Sequence, residues 1–154
     1  MDRPDLDDQD HEPAGAARPA GSHLLVRAGD FICALPLGSV RRVMRALSVH
    51  PLPGAAPELK GLAEFAGEPL PILDLARLVG APAGANRPFP VTIVAWAGPP
   101  AAREAVGFAA EAALEVAFVP PGSVVGGDGG FILGEASVAG EVVRVLDLEA
   151  LGRR

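Results

Sequence analysis

Asp74 and Asp147 are the residues in this chain whose type and spacing most invite chemistry. They stand 73 positions apart in matching contexts, ILDLARL and VLDLEAL. Two carboxylates can divide general acid and general base work between them. An aspartate at the start of a short helix also has a structural role, because it accepts hydrogen bonds from first-turn amides and suits the helix dipole. Leu75/Leu78 and Leu148/Leu151 follow at the i, i+3 spacing of a short apolar face, so capping accounts for both copies. The remaining nucleophiles and ligands are sparse. His11, His23 and His50 are scattered and accompanied by one cysteine, Cys33, which shows no metal-ligand spacing. Cys33 sits in an apolar run, where a thiol is a packing group rather than a nucleophile. No serine occupies a nucleophile elbow. The run Gly126-Gly127-Asp128-Gly129-Gly130 lacks the Lys and Ser/Thr of a phosphate-binding loop, and reads as a flexible hairpin tip.

The elements around the aspartates repeat with them. Gly61–Leu78 (GLAEFAGEPLPILDLARL) returns ungapped as Gly134–Leu151 (GEASVAGEVVRVLDLEAL), with nine identities in eighteen positions. Self-similarity at a fixed period fixes architecture before any single residue does. Each copy reads as a strand, a tight turn at Ala-Gly, a second strand (Pro69–Leu73 or Val142–Leu146) and the capped turn. The chain therefore reads as two similar halves, either one domain or two small lobes on a common core. The clearest linker, 81–90 (APAGANRPFP), lies between them.

In order, residues 1–22 form an acidic tail expected to be disordered. Positions 1–21 hold six acidic residues against Arg3 and Arg18, a net of −4 out of a chain total of −6. The near-neutral body gives no electrostatic case for nucleic acid or an anionic membrane. The start lacks the pattern of a secretory signal, and no apolar run has the roughly 18–20 residues of a membrane helix. His23–Arg27 and Phe31–Leu35 read as strands. Val40, Val43 and Met44 fall at i, i+3, i+4 behind Ser39, which predicts a short helix with Arg41, Arg42 and Arg45 on its other side. Those arginines are either a solvated face or a docking patch for an acidic partner. Nucleic-acid contact lacks further basic or aromatic residues to extend it. Val91–Trp96 and Glu104–Ala109 read as paired strands, with Trp96 placed in the core. Glu111–Val119 reads as a helical turn and then a strand. Many short strands with a turn every 8–12 residues indicate all-β barrels, with function on their surfaces.

Taken together, HLLVRAGDFICALPLGSVRRV, PLPGAAPELKG, FAGEPLPILDLARLVG, VGFAAEAALEV and GEVVRVLDLEAL resemble the CheW family of bacterial chemotaxis coupling proteins. The likeness spans residues 23–152. It implies an all-β fold with short helices: two small SH3-like five-stranded β-barrels packed on a shared core. It also implies a cytoplasmic protein with no enzymatic activity and no cofactor. The implied partners are the regulatory domain of a CheA-type histidine kinase and the cytoplasmic tip of methyl-accepting chemoreceptors. The partner-binding positions carried over are Val40, Arg41, Arg42, Glu64, Ala66 and Gly67. This sequence departs from the family there. Arg42 stands where the family has Glu, and Ala66 where it has the Arg of an N-L-R-G pattern. Ala110-Glu111 replaces Val-Asp. The usual Glu–Arg pair cannot form, and an Arg42–Glu64 ion pair is the expected substitute, worth about 0–1 kcal/mol if exposed. A CheW-like module with another signalling partner, or a competitor of a true coupler, is the alternative. A small enzyme using Asp74 and Asp147 is the third.

Overall fold

The computed structural model describes residues 21–82, 88–120, 122–127 and 129–151. The acidic segment therefore lies outside the described residues up to position 20, and so does 83–87 of the expected linker. Gly21 and Ser22, expected in the tail, instead open the first strand, pairing with Val119 and Phe118.

Ten strands make two five-stranded sheets. In chain order they are β1 (Gly21–Ala28), β2 (Phe31–Pro36), β3 (Val40–Arg45), β4 (Leu59–Phe65) and β5 (Glu68–Asp74), then the one-turn helix α1 (Leu75–Leu78). After the linker come β6 (Val91–Ala97), β7 (Glu104–Ala110), β8 (Ala112–Val119), β9 (Ile132–Val138) and β10 (Glu141–Leu146). The first sheet runs β8-β1-β2-β10-β9 and the second β3-β6-β7-β5-β4. Replacing each strand by its counterpart five places on converts one order into the other.

The halves repeat, yet neither builds a sheet of its own. The first sheet takes β1 and β2 from the first half and β8–β10 from the second, and the second sheet takes the complement. Parallel seams join the contributions: β2 to β10 at Ala34–Val145, and β5 to β7 at Ile72–Gly107. Those two pairs are the same pair shifted by 73. Irregularities obey the same shift. The β3–β6 ladder skips Arg41 and the β8–β1 ladder skips Leu114, while the hairpins of β4 and β9 skip Lys60 and Leu133. Each skip is a β-bulge, which bends the strand and turns its side chains.

Alternation along the strands explains three apolar clusters. Leu25, Ile32, Ala34, Val143 and Val145 fill the concave side of the first sheet, and Ala63, Leu70, Ile72, Val94 and Ala109 that of the second. Leu24, Val26, Leu35, Ile93, Phe108 and Leu146 point to the other sides, which face each other as one shared core closed by Leu75 and Leu148. Strands buried on both faces read as continuous apolar runs rather than alternating ones. Cys33 belongs to the shared core with no exposure, and burial pushes its thiol up to about 12 against the opposing pull of Arg144.

Both predicted caps form. The Asp74 carboxylate accepts from the Arg77 amide at 3.3 Å, and Asp147 accepts from Glu149 at 3.1 Å. The two-residue hairpin loops are Ala66-Gly67 (φ 55° and 80°) and Ala139-Gly140 (φ 51° and 83°), the doubly left-handed turn that matches strand twist.

Three local expectations are corrected. Val40–Arg45 is strand β3, because pairing with β6 outweighs the i, i+3, i+4 spacing; only Leu37–Ser39 ahead of it is a 3-10 turn. Glu111 is the bend between β7 and β8, with Ala112 and Ala113 already in β8 opposite Arg27 and Val26. The glycine run is not a simple hairpin tip, since β8 and β9, which it connects, are opposite edges of one sheet. Asp128 within it lies outside the described residues.

Among the described residues His23 is the one buried histidine, 2% exposed, and its Nδ1–H donates to the Gly21 carbonyl at 2.9 Å. Desolvation by burial lowers its pKa from the ordinary 6.5, partly offset by that hydrogen bond. The unfolded chain therefore binds more protons just below pH 6.5, and stability falls as pH drops from about 6.5 to the folded value. Thermal melts of the native protein and His23→Asn across pH 7.5–5 check this. The native curve should carry extra slope below 6.5, and parallel curves would refute it.

Candidate functional site

The six carried-over positions lie on the second sheet. Its open edges are β3, which carries Val40, Arg41 and Arg42, and β4, which carries Glu64 and ends at the Ala66-Gly67 turn. Curvature brings the edges together at one end, and Arg41 closes the gap. Because the ladder skips it, Arg41 is released from the alternation. Its guanidinium lies 4.7 Å from the Trp96 ring centroid on β6 and 5.7 Å from that of Phe65 on β4. Arg103, just before β7, approaches Trp96 as well, at 5.7 Å. Such contacts are worth about 0.5–1 kcal/mol each at exposed sites. Trp96 is therefore half-buried beneath two arginines, rather than a core residue as its strand position suggests.

Arg41, Phe65, Ala66 and Glu68 line one small hollow together with Pro69, Leu70 and Ala105. Arg41 and the turn are thus brought together. Arg42 and Glu64 are not. Arg42 pairs with Val94 and so points to the concave side, whereas Glu64 lies between Ala63 and Phe65, which point that way, and faces outward. The expected Arg42–Glu64 ion pair does not form. Val40 leans on the shared core, and Val43 is 45% exposed on the same edge.

Arg41, Arg42, Arg45 and Arg103 are exposed, and among the described residues none has a carboxylate within ion-pairing distance. Arg144 contrasts with them. It is partly buried, pairs with Glu135 at 3.6 Å, lies 4.0 Å over Phe31 and donates to the Val79 carbonyl after α1. It ties the first sheet to the segment that follows β5 and α1.

Arg103 carries no sequence signal of its own, since position 103 is 62 residues from Arg41 and only the fold unites them, and Trp96 reads from sequence as core. The signal available was a lone tryptophan at a strand end, a place where aromatic rings meet solvent. Asp74 ends β5 of the second sheet and Asp147 follows β10 of the first, and each carboxylate is used by its own cap. Among the described residues no three of His, Cys, Asp and Glu converge as a metal site, and no helix is long and apolar enough to cross a membrane.

Comparison with known proteins agrees with this architecture. A solved structure, the scaffolding protein TtCheW from Thermoanaerobacter tengcongensis, superposes with a TM-score of 0.70 at 16% identity, over 84% of this chain and 90% of that one. A search of curated protein sequences returns no match. The family model of the CheW-like domain matches residues 22–154. With its two interleaved five-stranded sheets and a family match over nearly all of the chain, this protein belongs to the CheW-like domain family.

Proposed function

We propose that this protein is a non-catalytic adapter of a bacterial chemosensory array, coupling the cytoplasmic tips of methyl-accepting chemoreceptors to the regulatory domain of a CheA-type histidine kinase. Membership of the CheW-like family supports the adapter role. The observation that carries the kinase-side assignment is the open end of the second sheet. There Arg41 on the edge strand β3 meets the Ala66-Gly67 turn, with Val43 exposed further along the same edge. An edge strand offers backbone donors and acceptors to a partner, and exposed charge selects which partner docks. On this reading the kinase-side contact draws on Val40, Arg41, Arg42, Glu64, Ala66 and Gly67, with Arg42 and Glu64 on different faces of the edge, and the groove between the sheets receives the receptor helix.

Arg42 favours a second reading, a CheW-like module retuned to another signalling protein. It presents a positive charge where the family presents a negative one, and reversed charge rejects a partner selected for the other sign. Capture assays with the same organism's CheA-type kinases and receptors separate the two. Coupling predicts that one kinase binds and that Arg42→Glu weakens it about tenfold or more, the effect of roughly 1.4 kcal/mol. Tight kinase binding indifferent to Arg42→Glu removes this edge from the interface. Absence of any kinase, with another signalling protein captured instead, selects the second reading.

A further inference from the structure

We propose that the acidic N-terminal segment, residues 2–12, docks in cis on the surface formed by Arg41, Arg42 and Arg103, and competes there with a partner. Charge complementarity is the first argument. The segment carries Asp2, Asp5, Asp7, Asp8, Asp10 and Glu12 against one arginine, Arg3. These three arginines are exposed, and among the described residues no carboxylate lies within ion-pairing distance of them, although Glu64, Glu68 and Glu104 lie on adjoining strands and turns. The Arg41 and Arg103 guanidinium carbons lie 4.7 Å and 5.7 Å from the Trp96 ring centroid, which gathers two cations able to bind carboxylates at one ring.

Reach is the second argument. β1 begins at Gly21, and His23 pairs with Pro36, which leads through the Leu37–Ser39 turn into β3. That path puts Arg41 no more than about 30 Å from Gly21, given paired-strand spacing and about 3.3–3.6 Å per extended residue. Asp10 lies eleven residues before Gly21. That length spans roughly 36 Å when extended, so Asp10 and every acidic residue before it reach the arginines. A tethered segment acts at high effective concentration, so weak individual contacts suffice for occupancy at low salt.

The regulatory consequence rests on the kinase-facing reading given above, but the contact is measurable without any partner. Trp96 is the sole tryptophan and there is no tyrosine, so intrinsic fluorescence reports this surface alone. The test uses the full-length native chain and a full-length variant with D2N, D5N, D7N, D8N, D10N and E12Q, quenched by acrylamide, which is uncharged. At an ionic strength of about 20 mM the neutralised variant should quench about twofold more steeply, and at about 1 M, where screening reaches roughly 3 Å, the two should coincide. R42E, keeping the native segment, should quench more steeply than the native chain at low salt. Equal quenching at low salt overturns the proposal. A difference that persists at 1 M, or a native curve that R42E leaves unchanged, also overturns it, since coverage of Trp96 would not then depend on this charge pairing. If quenching behaves as expected and the neutralised variant also captures kinase more strongly, both the contact and its competition stand. Unchanged kinase capture leaves the contact and overturns the competition.

Discussion

Replacing Phe108 by alanine is expected to destabilise the protein by about 3–5 kcal/mol, the range for truncating a fully buried phenylalanine. Phe108 has no exposure, belongs to β7 of the second sheet and packs in the core common to both. Its ring centroid lies 6.4 Å from that of Phe131, on the segment leading into β9 of the first sheet. The cavity therefore opens between the sheets rather than inside either. Each sheet is also completed by strands from both halves, so neither can persist once the other is lost. Far-ultraviolet circular dichroism and Trp96 fluorescence, followed together in urea, should show one coincident transition moved to lower denaturant. Two separated transitions, with the first sheet outlasting the second, would contradict this account.

Gly61→Ala and Gly134→Ala should each cost about 3 kcal/mol or more, combining backbone strain with overpacking that cannot relax by rotamer changes. Both glycines follow a bulge, with φ of +146° and +156°, a conformation L side chains rarely adopt. A Cβ on Gly61 would sit 2.2 Å from the His50 carbonyl oxygen, and one on Gly134 would sit 2.6 Å from that of Val125. Those carbonyls cannot step aside without opening the paired bridges His50–Leu62 and Val125–Glu135. Gly140→Ala is the control. Its φ is +83° but its Cβ position is open, so only the left-handed penalty of about 1–2 kcal/mol applies. Urea midpoints for the three variants check the ordering. A Gly61→Ala cost no greater than that of Gly140→Ala would remove the steric argument.

The parts legible in the sequence were those with local causes. An aspartate before a leucine turn reads as a cap because the amides it satisfies lie two or three residues away, and both caps are present. Ala-Gly between apolar strands reads as a tight turn for a similar reason. What failed was long-range. Val40, Val43 and Met44 fit a helix on spacing, but Val43 faces solvent and the segment is fixed by β6, about fifty residues on. The repeat showed that the halves are alike; it held no information about whose strands pair with whose. The Arg42–Glu64 pair failed for a related reason, because a helix would have turned Arg42 to a different side than the bulged strand does. Arg41 was named, but its seat on Trp96 depends on that bulge.

The exchange of strands bears on how the molecule transmits displacement. Independently folded lobes joined by a linker rotate freely by default. Here the chain passes from one sheet to the other between β2 and β3 through three residues, Leu37–Ser39, and between β7 and β8 through the single residue Glu111. Covalent links that short leave no slack, and the buried layer beneath them resists sliding. A push delivered to one face must emerge at the far face as motion of the whole body, so the protein behaves as a stiff strut rather than a hinge.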